Sequence, residues 1–202
     1  LLYDDEEARR YEGGPYVTLY LSPKDYHRIH APASGLVSEA SLIPGALMPV
    51  FPEALERGFG SIEAFWDKGI KRGKTTPEQK AGWSANLIST DDLSEAVHGA
   101  DFVIEAVPEK MELKRSVFQE LESLAPSHAI LATNTSSLPI SEIAAVTGCP
   151  ERVIGMHFFN PVPLMSLLEI VRHNSVSDET VSAAEFIGES MGKTTILVRD
   201  VP

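Results

Sequence analysis

Short apolar runs alternate with amphipathic segments over the last three quarters of the chain. The runs at residues 102–106, 129–132 and 153–156 are typical of buried parallel strands. Between the first two, apolar residues at helical spacing predict an amphipathic helix over residues 110–124. Strands and helices that alternate in this way predict an α/β fold, with a Rossmann-like, mostly parallel sheet flanked by helices.

Further elements extend this pattern on both sides. Helices are predicted over residues 53–74, 91–99 and 177–191, and strands over residues 86–90, 167–171 and 194–198. Asp91 and Asp92 are good caps for the start of one helix, and Gly192 is a good end for another. Because ligands gather at the carboxyl ends of strands in such a sheet, polar residues that follow the strands are candidates for a site.

Residues 1–51 have a different pattern. Strands are predicted over residues 16–21, 36–43 and 47–51. Their spacing favours a β-hairpin or meander and carries no βαβ signal. We therefore expect residues 1–51 to form a β-rich segment in place of the first βαβ unit of a domain that spans residues 52–202. Central strands need neighbours, so we expect Leu47 to Phe51 to pair with the parallel sheet.

Two ionisable residues stand at unusual places in the last apolar runs. His157 follows the strand at residues 153–156, and Glu169 interrupts the run at residues 167–171. A lone acid in such a run is costly to bury without a partner, and adjacent strands would bring His157 beside it. An imidazole held by a carboxylate is a general base near neutral pH. The alternative is a structural pair, a satisfied core histidine and an acid at a strand end.

Three segments resemble one enzyme family. They are residues 155–171 (GMHFFNPVPLMSLLEIV), 134–140 (NTSSLPI) and 101–109 (DFVIEAVPE). They resemble, respectively, the catalytic segment, the NTSSL segment and the strand before a cofactor-facing Glu of the 3-hydroxyacyl-CoA dehydrogenases. The resemblance runs from about Glu53 to Pro202. It implies NAD-dependent oxidation of 3-hydroxyacyl-CoA to 3-oxoacyl-CoA, of the fatty-acid β-oxidation or butyrate type.

The resemblance implies roles for individual residues. His157 would remove the hydroxyl proton of the substrate, Glu169 would orient and stabilise the imidazole, and Ser136 would hydrogen-bond the substrate. The residues facing the cofactor would be Glu109, Lys114, Asn134 and Asn160. Lys68 and Arg72, in a basic cluster at a helix end, are weaker candidates for the CoA phosphates. The alternatives are turn chemistry for the Ser and Asn residues and a solvated helix end for the basic cluster.

The first segment resembles a different family. Residues 16–35 (YVTLYLSPKDYHRIHAPASG) resemble the phosphatidylserine decarboxylases, whose catalytic His would fall on His30. That family makes its pyruvoyl cofactor by cleaving itself at a Ser in a Leu-Gly-Ser-Thr type motif, and the sequence contains no such motif. Without the pyruvoyl carbonyl there is no electron sink for decarboxylation. We therefore interpret His27 and His30 as structural residues.

Composition narrows the class of protein. The chain has 202 residues and a formal net charge of -12, which argues against nucleic acid as the main partner. No apolar run approaches the length of a membrane span, and the acidic N-terminus does not resemble a signal peptide. With Cys149 as its one cysteine, the sequence forms no internal disulfide and gives no indication of a metal site. We expect a cytoplasmic protein.

Two parts of the dehydrogenase family fall outside the matching segments. One is the Gly-rich turn that binds the NAD pyrophosphate, which the decarboxylase-like segment replaces. The other is a helical C-terminal domain that closes over the acyl chain and builds the homodimer. Together with the missing initiator Met, this indicates a piece of a longer protein. Two alternatives follow: a non-catalytic recombined or engineered scaffold without cofactor binding, joined near Phe51-Pro52, or a phosphatidylserine decarboxylase-related protein.

Overall fold

The computed structural model describes residues 16–20, 40–44, 52–90, 92–160, 162 and 164–200. Its strands are β1 (Tyr16–Tyr20), β2 (Ala40–Pro44), β3 (Leu87–Ser89), β4 (Phe102–Ala106), β5 (Ile130–Thr133), β6 (Val153–Phe158), β7 (Leu167–Arg172) and β8 (Thr194–Arg199). Its helices are α1 (Pro52–Lys71), α2 (Pro77–Ala85), α3 (Leu93–Val97), α4 (Met111–Leu124), α5 (Ile140–Ala144) and α6 (Asp178–Ser190), with a 3₁₀ turn at Pro150–Arg152.

In the described part of the chain, eight strands form one sheet in the order β3-β2-β1-β4-β5-β6-β7-β8. Neighbouring strands run parallel except for β6 and β7, which are antiparallel. The strand order reverses between β1 and β4, as it does in a doubly wound α/β fold. The predicted Rossmann-like, mostly parallel sheet is therefore confirmed.

The two N-terminal strands pair differently from the prediction. β1 and β2 are neighbours, but they run parallel, with Thr18 opposite Leu42. The prediction of a hairpin or meander was therefore wrong. Residues 21–39 separate the two strands, and a parallel crossover needs about a dozen residues or more, which this connection provides. The expected pairing of residues 47–51 lies outside the described residues.

The N-terminal strands also lie in the interior of the sheet. β1 pairs with β4 over its whole length, from Tyr16 opposite Phe102 to Tyr20 opposite Ala106. β2 pairs with β3 on its other side. Both therefore occupy the position of a first βαβ unit in a Rossmann sheet, although their sequence resembles another family.

Capping residues set several helix boundaries. Thr76 and Gln79 form a capping box at the start of α2. Asp92 caps α3, and the hydroxyl of Ser177 accepts the N–H of Thr180 at the start of α6. These side chains satisfy N–H groups that have no partner inside the helix. None of the helices among the described residues is both long and apolar enough to cross a bilayer.

Apolar side chains cover both faces of the sheet. On one face, Val103 and Leu131 pack with Phe118 of α4, and all three are fully buried. On the other face, Ile154 and Ile170 belong to the cluster that includes α6. This packing holds the carboxyl ends of β4, β5 and β6 at one edge of the sheet.

Candidate active site

Polar residues follow three neighbouring strands at the carboxyl edge of the sheet, where parallel folds bind ligands. Glu109 follows β4, and His157 is the second-last residue of β6. Residues 134–139 connect β5 to α5, and we call them the serine loop. The site is therefore assembled from segments that the sheet order brings together.

The antiparallel pairing of β6 and β7 places His157 directly opposite Glu169. Nδ1 of His157 lies 2.7 Å from Oε2 of Glu169. Because an ionised carboxylate only accepts hydrogen bonds, a neutral imidazole in this pair would carry its hydrogen on Nδ1 and a lone pair on Nε2. The adjacency that the sequence predicts is present, whereas the catalytic role of the pair stays a prediction.

The imidazole is held from more than one side. The ring of Phe159 lies 4.6 Å from the ring of His157, centroid to centroid, at an angle of 46°. Two residues earlier in β6, a side chain at Gly155 would collide with Ile140 of α5 and Val171 of β7. Gly155 thus allows α5 to lie close against β6. A fixed imidazole with a carboxylate behind it can accept a proton at Nε2 and share the resulting charge.

Asn134 ties the serine loop to β6. Its Oδ1 accepts a hydrogen bond from the backbone N–H of Phe158 at 2.9 Å. Its own backbone N–H donates to the carbonyl of Glu105 at 2.8 Å. The side chain therefore holds the loop next to His157, and its predicted contact with a cofactor stays a prediction.

One oxygen of Glu109 accepts several hydrogen bonds from the serine loop. Oε1 accepts the hydroxyl of Thr135 at 2.5 Å and the backbone N–H groups of Ser136 and Ser137 at 3.0 and 3.1 Å. Burial is the largest single influence and raises the pKa of Glu109. The hydrogen bonds, together with the charge of Lys114, outweigh burial and hold that pKa below its ordinary value. Glu109 is therefore an anion at neutral pH.

Lys114 lies beneath Glu109, away from solvent. Its Nζ donates to both oxygens of Glu105, at 2.8 and 3.0 Å, and to the carbonyl of Val107 at 3.2 Å. It also lies 3.6 Å from Oε2 of Glu109. The side chains of Lys114 and Glu105 are 1% and 0% exposed. The predicted cofactor contact of Lys114 stays a prediction, and this position favours action through Glu109.

Sequence reasoning missed Glu105 and Thr133. The carboxylate of Glu105 also accepts the hydroxyl of Thr133 at 2.6 Å and the backbone N–H of Val107. Glu105 interrupts the apolar strand β4. This is the same signal, a lone acid in an apolar run, that singled out Glu169. Applied to β4, it would have found Glu105.

The remaining predicted residues lie nearer the surface. The hydroxyl of Ser136 is 3.4 Å from Oε1 of Glu109. Asn160 is exposed just after β6, and Lys68 and Arg72 are exposed at the end of α1. The structure therefore places Ser136 and Asn160 at the strand ends, Lys68 in the last turn of α1 and Arg72 directly after that helix. The described residues contain no group of three His, Cys, Asp or Glu side chains arranged to hold a metal.

Two family models match the chain. Residues 40–201 match the one described as 3-hydroxyacyl-CoA dehydrogenase, NAD binding domain. Residues 1–68 match the one described as phosphatidylserine decarboxylase. Both resemblances seen in the sequence are therefore confirmed, and the two matches overlap over residues 40–68.

Similar proteins carry related names. A probable 3-hydroxybutyryl-CoA dehydrogenase of Bacillus subtilis is 45% identical over 153 residues, which are 76% of this chain and 53% of that protein. The fatty acid oxidation complex subunit alpha of Idiomarina loihiensis is 37% identical over 83% of this chain and 24% of that protein. The chain thus spans about half the length of the first relative and less of the second.

Solved structures share the fold. The crystal structure of 3-hydroxybutyryl-CoA dehydrogenase from Escherichia coli K12 superposes with a TM-score of 0.81 and 31% identity, over 94% of this chain and 39% of that one. That of (S)-3-hydroxybutyryl-CoA dehydrogenase from Ralstonia eutropha gives a TM-score of 0.78 and 28% identity, over 94% of this chain and 65% of that one. The similarity therefore extends into the N-terminal strands.

Proposed function

The chain belongs to the family described as 3-hydroxyacyl-CoA dehydrogenase, NAD binding domain, and on that premise we propose that it oxidises 3-hydroxyacyl-CoA reversibly to 3-oxoacyl-CoA with NAD. The observation that carries the proposal is the His157–Glu169 pair, 2.7 Å apart at the carboxyl edge of the sheet. The names of the relatives support an acyl-CoA as the substrate class.

In this mechanism His157 is the general base. Its Nε2 accepts the proton of the hydroxyl on C3 of the substrate. Glu169 keeps the hydrogen on Nδ1 and stabilises the imidazolium that forms. The hydroxyl of Ser136 hydrogen-bonds the substrate oxygen, and NAD, when bound, supplies the acceptor for the hydride that leaves C3. In the reverse direction His157 returns the proton.

The residues after β4 fit the nicotinamide half of NAD. Glu109 uses Oε1 to hold the serine loop, and its side chain remains 35% exposed. Its second oxygen is thus a suitable acceptor for the hydroxyls of a ribose. We propose that Glu109, supported by Lys114, holds this half of NAD together with Asn134 and Asn160.

The other partners follow from the same proposal. Lys68 and Arg72 are exposed cations at the end of α1, which supports them as contacts for the CoA phosphates.

A cytoplasmic location is supported by the free, buried thiol of Cys149. We propose that the two family resemblances meet near residues 51 and 52 within one sheet. Strand β1 comes from the decarboxylase-like part and pairs with β4, which comes from the dehydrogenase-like part.

A scaffold without cofactor binding is the second candidate, favoured by one observation. β1 is followed by Leu21-Ser22-Pro23-Lys24, where a Rossmann sheet has the Gly-rich turn that binds pyrophosphate. A decarboxylase-related function has the match over residues 1–68 as its support, and detection of a pyruvoyl group by mass would be needed to favour it.

Titration of the purified chain with NADH, with and without acetoacetyl-CoA, tests the proposal. NADH binding is followed by fluorescence and turnover by the loss of NADH absorbance, with His157→Asn as a parallel sample. Turnover that the variant loses supports the dehydrogenase function. Binding without turnover contradicts catalysis by this chain, and no binding favours the scaffold.

A further inference from the structure

Helix α5 begins at the end of the serine loop without a local cap. Its N-cap residue is Pro139, and no side chain at that position accepts a hydrogen bond. The first N–H groups of a helix need acceptors from outside the helix. Asp200 supplies them, because Oδ1 accepts the N–H of Ile140 at 3.0 Å and Oδ2 that of Ser141 at 2.8 Å. We propose that Asp200, which follows β8, is a positioning residue for the serine loop.

α5 depends on such outside support. It has 5 residues, too few for a helix to be stable by itself. Ile140, its first residue, is 1% exposed and packs over Gly155 of β6. Asp200 holds the N–H of the same residue. Together the two contacts fix the first turn of α5, and with it the end of the serine loop.

The serine loop is anchored at three places. At its start, Asn134 accepts the N–H of Phe158. In its middle, Thr135 donates to Glu109. Asp200 provides the third anchor through α5. Because Ser136 lies between the first anchor and the third, the position of its hydroxyl relative to His157 depends on both ends of the loop.

Asp200 also connects the serine loop to the strand that carries Glu169. Its backbone N–H donates to the carbonyl of Arg172, the last residue of β7, at 2.8 Å. Glu169 lies in the same strand. Asp200 therefore joins the acid behind His157 to the loop that bears Ser136. The catalytic consequence of this link rests on the proposed function, whereas the positioning does not.

Amide hydrogen exchange, measured residue by residue by NMR on the whole chain, tests the positioning without requiring activity. Asp200→Ala should speed exchange at Ile140 and Ser141 on the order of tenfold, the size expected for a lost helix cap. It should also speed exchange at the N–H of Ser136. Asp200→Asn keeps an acceptor and should stay close to the wild-type rates. Wild-type exchange at Ser136 in Asp200→Ala would overturn the proposal.

A cap built at a different residue separates capping from any other role of Asp200. Pro139 has the extended backbone of an N-cap residue, with φ -60° and ψ 120°. Pro139→Asp can therefore accept the N–H of Ser141 locally. Added to Asp200→Ala, it should return Ser141 and Ser136 towards wild-type exchange and leave Ile140 fast. Fast exchange at Ser136 in this double variant would contradict the proposal.

Lys193→Met is the matched control at the opposite end of β8. Nζ of Lys193 donates to the carbonyls of Val162 and Met165, in the connection between β6 and β7. The variant disturbs β8 without touching α5, so exchange at Ser136 should not change. A rise equal to that in Asp200→Ala would mean that general loosening of β8 frees the loop, which would overturn the specific role.

Steady-state kinetics provide the catalytic readout. If the wild-type chain turns over acetoacetyl-CoA, Asp200→Ala should raise its KM several-fold and leave NADH affinity unchanged, because Glu109 keeps its second oxygen. An unchanged KM would contradict the catalytic consequence. No turnover in the wild type would count against the proposed function and would not affect the exchange test.

Discussion

Two pairs, each formed by a carboxyl group and a side-chain nitrogen, have nearly equal contact distances in this fold and differ in their surroundings. Nζ of Lys114 is 2.8 Å from Glu105, and Nδ1 of His157 is 2.7 Å from Glu169. In both pairs the acid interrupts an apolar strand. The first pair is 1% and 0% exposed, and the second is 20% and 29% exposed. Contact distance therefore does not distinguish a pair that holds the fold from one that can react.

The hydrogen bonds around each pair do distinguish them. Glu105 accepts from the side chains of Lys114 and Thr133 and from a backbone N–H, so its lone pairs are used within the fold. His157 uses Nδ1 on Glu169, and Nε2 has no hydrogen-bond partner among the described residues. A buried pair whose hydrogen bonds are all made within the fold is expected to control stability, and a partly exposed pair with an unpaired nitrogen is expected to control turnover.

Replacing His157, whose Nε2 is unpaired among the described residues, should give the largest effect on turnover. His157→Asn is expected to lower kcat by about 10²- to 10⁴-fold, the usual contribution of a general base. The free energy of unfolding should change by about 1 kcal/mol or less, because the side chain is partly exposed. NADH-coupled kinetics and urea unfolding measure the two quantities on the same sample.

His128→Asn is the matched control for that variant. His128 is 58% exposed and lies 2.8 Å from Asp101, so it also pairs with an acid. It lies outside the candidate site and should leave kcat unchanged. Equal losses of turnover in the two histidine variants would show that His157 has no special role.

Breaking the buried pair should give the largest change in stability. Glu105→Gln leaves the ammonium of Lys114 buried without its main counter-ion, which should lower the free energy of unfolding by about 3–5 kcal/mol. Replacing both partners, with Glu105→Leu and Lys114→Met, should recover part of that loss, because no charge stays buried alone while Thr133 and the N–H of Val107 still lose their acceptor. Urea unfolding of the three proteins measures this, and a double variant as unstable as Glu105→Gln would contradict it.

An exposed acid provides the reference for Glu105. Glu112 lies in the first turn of α4, and its side chain is 91% exposed. Glu112→Gln should therefore change the free energy of unfolding by about 0.5 kcal/mol or less. A loss as large as that of Glu105→Gln would mean that burial does not determine the effect.

The sequence was sufficient to predict most of the sheet and the contact between His157 and Glu169. Apolar runs and helical spacing locate strands and helices because each element must bury one face. The contact of His157 with Glu169 followed from the cost of burying an acid alone. The direction of β2 was not predictable in this way, because residue pattern indicates a strand and not the direction of its partner. The length of residues 21–39 was the available clue.

The residues that support the candidate site from behind were harder to predict. Glu105 carried a local signal in its apolar strand, but its partners Lys114 and Thr133 lie on other elements. Asp200 caps α5 from a strand end far along the chain. Such contacts leave no periodic pattern in the sequence, so they become visible once the register of the sheet is known.

Replacing Glu109 should give a smaller effect on stability, and one that depends on pH. The pKa of this carboxyl is lowered from 4.5, so the folded state binds its proton less tightly than the unfolded chain does. Its contribution to stability is present above the unfolded pKa and is lost as the pH falls through the lower, folded pKa. Glu109→Gln should therefore lose stability relative to the wild type at neutral pH, and the difference should shrink below about pH 4.5. Urea midpoints across that range measure it, and a constant difference would contradict it.

A pair of largely exposed side chains should give a small effect on stability that salt removes. The guanidinium of Arg172 lies 3.1 Å from Asp178, and the two side chains are 36% and 87% exposed. A positive charge beside a carboxylate is therefore not sufficient for a large contribution to stability. Arg172→Gln leaves the backbone contact with Asp200 in place and should lower the free energy of unfolding by about 1 kcal/mol or less. Since salt screens exposed charges, the difference from the wild type should disappear in about 1 M NaCl. A loss that persists in salt would show that exposure is not what separates this pair from Glu105 and Lys114.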